Sequence, residues 1–412
     1  METLKELYKI GRGPSSSHTL APERACRLFV EKEGPFPYYQ VSLYGSLSLT
    51  GKGHETDRII KETLGSPCDV SFEQDWEEDF PNGFRLSGLD EEKRVRKTWT
   101  VFSLGGGSIQ VKEYPIEKEE VYEESSFQEI LETLKKENTD LISYIYSRDP
   151  GLKEYLCTIV EAMSACVKTG LSKEGILPGR LKISRKAKML NERAGDEKRL
   201  KLMAYAYAAC EENADHGTCV TAPTLGSCGV LASMIHYLYE DRHISKERLA
   251  DGLAVGGIFG DLIKQNATLS GAVGGCQAEV GAAVSMAAAA YAYLEGLSLN
   301  EIEYAAEIGM EHHLGLTCDP VMGYVQIPCI ERNAVAVLRA IDAVTLSRAM
   351  SDAGGHMISF DMVVKTMNET GKKIPIEFRE TSTGGLAREY LEKEDQEIHD
   401  RMKEEKKEGS SI

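Results

Sequence analysis

Apolar and polar positions alternate along two early stretches, residues 41–51 (VSLYGSLSLTG) and 97–114 (KTWTVFSLGGGSIQVKEY), both rich in β-branched and aromatic side chains. A period of two predicts strands, and the run Gly105–Gly107 between two alternating halves predicts a hairpin. The segments ERACRLFVEKEG and ETDRIIKETLG instead space their apolar residues as helices do. Residues 1–115 therefore read as an α+β domain. An acidic stretch poor in apolar residues, 115–126 (PIEKEEVYEESS), predicts a linker. Beyond it the alternation fades, and residues 127–390 read as an all-α domain whose helices are separated by loops such as TAPTLGSCG and LTCDPVMGYVQIPC. These helices are heavy in Ala, Gly and Ser, which lets backbones approach closely and buries them nearly all round. Residues 391–412 are highly charged and predict a solvated helix or frayed tail. No internal repeat is present.

Composition narrows the class. The chain of 412 residues carries 48 basic and 65 acidic side chains, 48 − 65 = −17, which argues against a nucleic-acid backbone or an anionic membrane as partner. No apolar run reaches membrane-spanning length, and the first residues, METLKELYKIGRGP, lack the apolar core of a secretory signal. Ten cysteines without such a signal read as reduced thiols in a cytoplasmic protein, open to metal ligation or catalysis.

Three loops collect the chemistry. The first, Gly11–Thr19, offers Ser15, Ser16, Ser17, His18 and Thr19 just before a helical stretch. On its own such a segment is more often a serine-rich helix cap than a seat for an anion. The second, Gly51-Lys52-Gly53-His54-Glu55-Thr56-Asp57, lacks the spacing of a phosphate-binding loop; it leaves His54 on a tight turn, either structural or a general base. The third group is Cys276, Cys318 and Cys329, each flanked by glycine or proline and none in a CxxC pair, which excludes ferredoxin and zinc-ribbon spacings. Three thiolates would leave a metal position open, which suits Lewis-acid catalysis. Cys157, Cys166, Cys210 and Cys219 read as buried core thiols. His216, His236, His243, His356 and His399 read as surface or helix-packing residues, whereas His312 and His313 lie shortly before Cys318.

In order along nearly the whole chain, the segments GPSSSHT (13–19), GSLSLTGKGHETDR (45–58), GILPGRLKISRKA (175–187), TAPTLGSCG (221–229), NATLSGAVGGCQAEVG (266–281), EIGMEHHLGLTCDPVMGYVQIPCIERNA (307–334) and RETSTGGLA (379–387) closely resemble the bacterial iron–sulfur L-serine dehydratases. The resemblance implies a single-chain enzyme, an amino-terminal domain like an allosteric-substrate-binding fold, and a helical catalytic domain. It implies a [4Fe–4S] cluster held by Cys276, Cys318 and Cys329 with one iron free of protein, and no pyridoxal phosphate. The histidine matching His54 is implied as the base that takes the α-proton. Ser15, Ser16 and Ser17 are implied to bind the substrate carboxylate, with His18 and Thr19 in support and Asn266 and Ser270 near cluster or substrate. The resemblance implies pyruvate and ammonia as products, as in amino-acid degradation and gluconeogenesis, and a homodimer is expected.

The chain departs from the pattern at Val273, where relatives carry Glu, so an acidic partner is absent there and another group must take its place. His313 and Leu225 also differ, which keeps threonine or another β-hydroxy amino acid as an alternative substrate. No cysteine follows Cys329, so a tail thiol cannot close the open iron. A cluster-bearing redox or sensor protein is the rival from another class, though a carrier would normally supply four ligands.

Overall fold

The computed structural model describes residues 1–118, 120–350 and 356–409, with side chains described as far as Glu397. Two apolar cores organise it. The smaller lies under a five-stranded sheet built from β2 (Tyr38–Gly45), β3 (Cys68–Phe72), β4 (Asn82–Leu89), β5 (Val95–Gly105) and β6 (Ser108–Val111). Their spatial order is β3-β2-β4-β5-β6, parallel only between β2 and β3. Val41, Leu43, Phe84, Leu86, Trp99 and Val101 alternate onto one face, where Phe29 of the helix Ala21–Glu33 and Ile60 of the helix Thr56–Leu64 cover them. The expected hairpin is present: β5 and β6 meet through Gly105–Gly107, all three at positive φ. The stretch 41–51 is strand only to Gly45 and then turns into a short helix, Ser46–Leu49. β3 and β4 were not legible, because glycines and charges interrupt their alternation.

The larger core is helical, as the pattern beyond residue 127 predicts. The helix Val280–Leu294, ten of whose fifteen residues are Ala, Gly or Val, is buried on every side through Ala292 and is surrounded by Lys246–Asn266, Leu299–Glu311 and Cys329–Ala349. Small side chains permit that close enclosure. One short strand, β7 (Thr218–Val220), interrupts the helices.

The first residues of the chain join this helical core rather than the sheet. Leu4, Leu7 and Tyr8 are buried among the helices, and the Tyr8 hydroxyl donates to the Leu253 carbonyl at 2.9 Å. β1 (Ile10–Arg12) then pairs antiparallel with β7, Ile10 opposite Val220. The acidic stretch expected to be a linker also packs. Tyr122 is buried in the helical core, and Val121 and Tyr122 donate backbone bonds to the Met1 carbonyl. The apolar pair in that stretch outweighs its acids. The charged carboxyl-terminal stretch is a helix, Gly385–Gly409; residues 410–412 and the side chain of His399 lie outside the described residues.

Candidate functional site

The site forms where loops of both cores meet. β1 delivers the chain into Gly13–Thr19, and the helix and turn after β2 deliver His54. The hairpin reaches across from the sheet: the Ser103 hydroxyl donates to the Ser17 carbonyl at 3.1 Å, and Gly105 bridges to Leu269. A Cβ on Gly105 would come within 2.7 Å of the Leu269 and Ser270 backbone, and its φ of +96° also excludes side chains. On the other flank, a Cβ on Gly53 would meet the Met322 and Gly323 backbone at 2.7–2.8 Å. The turn holding His54 thus sits directly on the loop between Cys318 and Cys329.

His54 is fully buried. Its Nδ1 lies 2.9 Å from the Thr50 carbonyl, an oxygen that can only accept, so Nδ1 carries the proton. Nε2 then presents a lone pair, and it has no hydrogen-bond partner among the described residues. Burial lowers the His54 pKa to about 4, so the ring is neutral at ordinary pH. His18 stacks on it, ring centroids 4.0 Å apart and planes within 15°. His18 Nε2 faces the Ser46 carbonyl at 3.1 Å and the Thr50 hydroxyl at 2.8 Å, while Nδ1 faces the Ser15 hydroxyl at 3.3 Å. Burial, with His54 beside it, holds the His18 pKa well below the imidazole range. The 3.6 Å approach of Glu380 to Nδ1 is therefore not an ion pair.

The remaining loop residues divide between holding and offering. Ser16 accepts the Leu225 N–H at 2.6 Å, which explains the buried position of Leu225 without giving its side chain a role. Thr19 donates to the Ser15 carbonyl and so braces the loop. Ser17 is buried, and its carbonyl accepts from the Ser103 hydroxyl. Ser270 is fully buried and its hydroxyl is unpartnered among the described residues. Asn266 is not brought here. It is exposed, and its amide donates to the carbonyls of Ser125 and Leu262. His313 packs against Gly281 and bonds the Gly309 carbonyl through Nδ1 at 2.7 Å. His216, read from sequence as peripheral, lies at the rim, 3.3 Å from Glu55.

Cys276 opens a short 3-10 turn, Cys318 lies on a loop, and Cys329 begins a long helix. Cys276 and Cys318 are buried, and Cys329 is partly exposed. The three thiols lie within one another's electrostatic reach: Cys318 feels Cys276 and Cys329, and Cys329 feels Cys276. Burial pushes Cys276 up to about 11 and raises the other two as well. Arg332, one helical turn beyond Cys329, reaches Cys276 and donates to the Thr317 carbonyl at 2.6 Å. Burial works against its charge, but Cys276 and Cys329 outweigh that effect and raise its pKa further.

Two acids missed in the sequence stand here. Glu279 lies 3.8 Å from the Cys318 sulfur. Glu380 is tied to Cys318 through its backbone N–H and has one carboxylate oxygen without a partner among the described residues. A Cβ on Gly271 would lie 3.0–3.3 Å from Glu279, Cys318 and Glu380 alike, which brings all three around one point. These carboxyls stand where Val273 supplies none; the Val273 carbonyl instead accepts from Arg379 at 3.3 Å. His18, His54 and Glu380 each place a ligand-type atom within 4.8 Å of the others. Because the two rings are stacked, their lone pairs lie in nearly parallel planes and one ion cannot lie on both. That trio suits a hydrogen-bonding ligand, whereas the thiols suit a soft metal.

Residues 108–387 match the model of the family described as the serine dehydratase alpha chain, and residues 3–67 match that of the serine dehydratase beta chain. The chain belongs to the serine dehydratase family. It carries both parts on one polypeptide and is a lyase. An L-serine dehydratase of Streptomyces coelicolor is 36% identical, over 94% of this chain and 98% of the relative. L-serine dehydratase 2 of Escherichia coli is 37% identical over the same shares, and that of Helicobacter pylori 36%. Membership implies a metal cofactor. The donor set fits one: three neighbouring thiols, two of them buried, an adjacent guanidinium, and the Ser270 hydroxyl and a Glu380 oxygen without a partner among the described residues. Among the described residues, no helix is long and apolar enough to cross a membrane.

Proposed function

We propose that the chain converts L-serine to pyruvate and ammonia, with a [4Fe–4S] cluster held by Cys276, Cys318 and Cys329. The observation that carries the reading is His54: fully buried, protonated on Nδ1 by its bond to Thr50, and open on Nε2 beside Glu380, which is tied to Cys318. A neutral imidazole with a free lone pair is the group needed to take a weakly acidic α-proton. When bound, the cluster supplies Lewis acidity that favours departure of the β-hydroxyl. As the proton arrives at Nε2, the Nδ1–H bond to the Thr50 carbonyl strengthens and holds the imidazolium in place. Ser15 and Ser17, with the backbone of their loop, receive the carboxylate, and Ser270 offers its hydroxyl to the substrate. Loss of the α-proton and the hydroxyl as water leaves an enamine, which tautomerises and hydrolyses to pyruvate and ammonia. The enclosed position of His18, His54 and Cys276 keeps bulk water from the reacting atoms.

All ten cysteines are free, which supports a reducing, cytoplasmic setting. Val335 and Leu346 on the helix Cys329–Ala349, and Met350 just after it, stand exposed and support the homodimer reading. The test is anaerobic reconstitution with iron and sulfide, followed by iron and sulfide analysis and pyruvate or 2-oxobutyrate assays on L-serine and L-threonine. Cluster incorporation with turnover of serine is expected. Incorporation without turnover of either amino acid would favour the redox or sensor class.

A further inference from the structure

Apart from the three thiols of the site, four more cysteines gather inside the helical core, and the proposed reaction uses none of them. Cys166 (helix Leu152–Ser172), Cys219 (β7) and Cys228 (first residue of the helix Cys228–His236) each place their sulfur within 4.0 Å of one oxygen, the Ala209 carbonyl. The sulfurs of Cys166 and Cys219 stand 3.4 Å apart, at the limit of van der Waals contact. Cys210 adjoins Cys228 and extends the group towards Cys329. Only two sulfurs approach this closely, and no three cysteines among the described residues bring their sulfurs within 4.8 Å of one another. A compact trigonal metal site is therefore not formed, and the pair is the functional unit.

We propose that Cys166 and Cys219 form an oxidisable dithiol that closes to a disulfide on reaction with a small peroxide. Cys166 is the less deeply buried of the two, 5% exposed against 0% for Cys219. Its sulfur attacks the peroxide O–O bond and becomes a sulfenic acid, and the departing oxygen takes the Cys166 proton and leaves as water. The Cys219 sulfur then displaces that hydroxyl, the S–S bond forms, and the hydroxyl leaves as water after taking the Cys219 proton. In sum, two thiols and one hydrogen peroxide give one disulfide and two waters. Burial limits the reaction to oxidants about the size of water. The bond would tie β7 to the helix Leu152–Ser172, and β7 pairs with β1, which leads into the Gly13–Thr19 loop.

Peptide mapping tests this. Trypsin leaves Cys166 in residues 154–168, Cys219 in 202–242, and all three proposed cluster ligands together in 265–332, so oxidation of the cluster ligands among themselves cannot mimic the link. The anaerobically prepared holoenzyme is treated with stoichiometric hydrogen peroxide, alkylated without reduction and digested. A 154–168/202–242 cross-link is expected in the parent, in Cys157→Ser and in Cys210→Ser, and is expected to be absent from Cys166→Ser and Cys219→Ala. Alkylated Cys166 and Cys219 in the parent after peroxide, or a link that survives Cys166→Ser, would overturn the proposal.

Discussion

At the scale of single residues, the site turns on how burial and one backbone carbonyl set the state of His54. The imidazole is neutral because water is excluded, and it is basic only at Nε2 because Thr50 holds the other nitrogen. The sign of the pH effect follows. The folded pKa, about 4, lies below the ordinary 6.5, so the unfolded chain binds more protons in that window. Stability from this group is present above about pH 6.5 and is lost as pH falls towards 4. The total is of order 3 kcal/mol. Denaturant titrations of the parent and His54→Asn across this range should therefore converge as the solution is acidified; parallel curves would show that the ring is not held neutral by the fold. In kcat/KM, the acid limb due to His54 should lie near pH 4 and not near 6.5. At the thiols, alanine at Cys276, Cys318 or Cys329 should abolish both bound iron and pyruvate formation, whereas Cys157→Ser should leave both unchanged. Full activity in a ligand variant would refute the donor set.

At the scale of elements, three loops are held together by close backbone approach. The turn at Gly53 lies on the Met322–Gly323 backbone, the hairpin at Gly105 lies on Leu269–Ser270, and the backbone of Cys318 bridges to Arg379. Gly53→Ala forces a methyl against a carbonyl that cannot swing aside. A cost of about 1–3 kcal/mol in stability is expected, with a larger loss of turnover because the His54 turn must lift from its neighbour. Unaltered turnover in Gly53→Ala would mean that this contact does not position the ring. The same contacts explain what the sequence could and could not disclose. The placing of His54 and the three cysteines in glycine- or proline-marked loops was readable along the chain, whereas Ser270 entered only through the family resemblance. Glu279 and Glu380 were not legible: they stand 101 positions apart and meet only because the Cys318 loop pairs with Arg379. Asn266 was misplaced for a related reason. It ends a long helix, and the chain turns into the site only after it.

At the scale of the molecule, the two cores are interlocked. The alternating and helical periods foretold a sheet region followed by a helical one, since each period reports the face that must be buried. They could not foretell that Leu4, Leu7 and Tyr8 leave the sheet region and fill the helical core, because so short a segment carries no full period. That crossing makes the Gly13–Thr19 loop a strap between the cores. Leu7→Ala should accordingly destabilise the helical core by about 2–5 kcal/mol, as for other buried leucines. A loss confined to the sheet region in hydrogen exchange would contradict this packing. The central claim is that an enclosed neutral imidazole facing a thiol-held metal group carries out the elimination. Turnover of L-serine by anaerobically reconstituted His54→Ala, measured alongside its iron content, tests it most directly. Iron equal to the parent with pyruvate formation at least about a hundredfold slower is predicted; full iron with near-parental turnover would contradict the account.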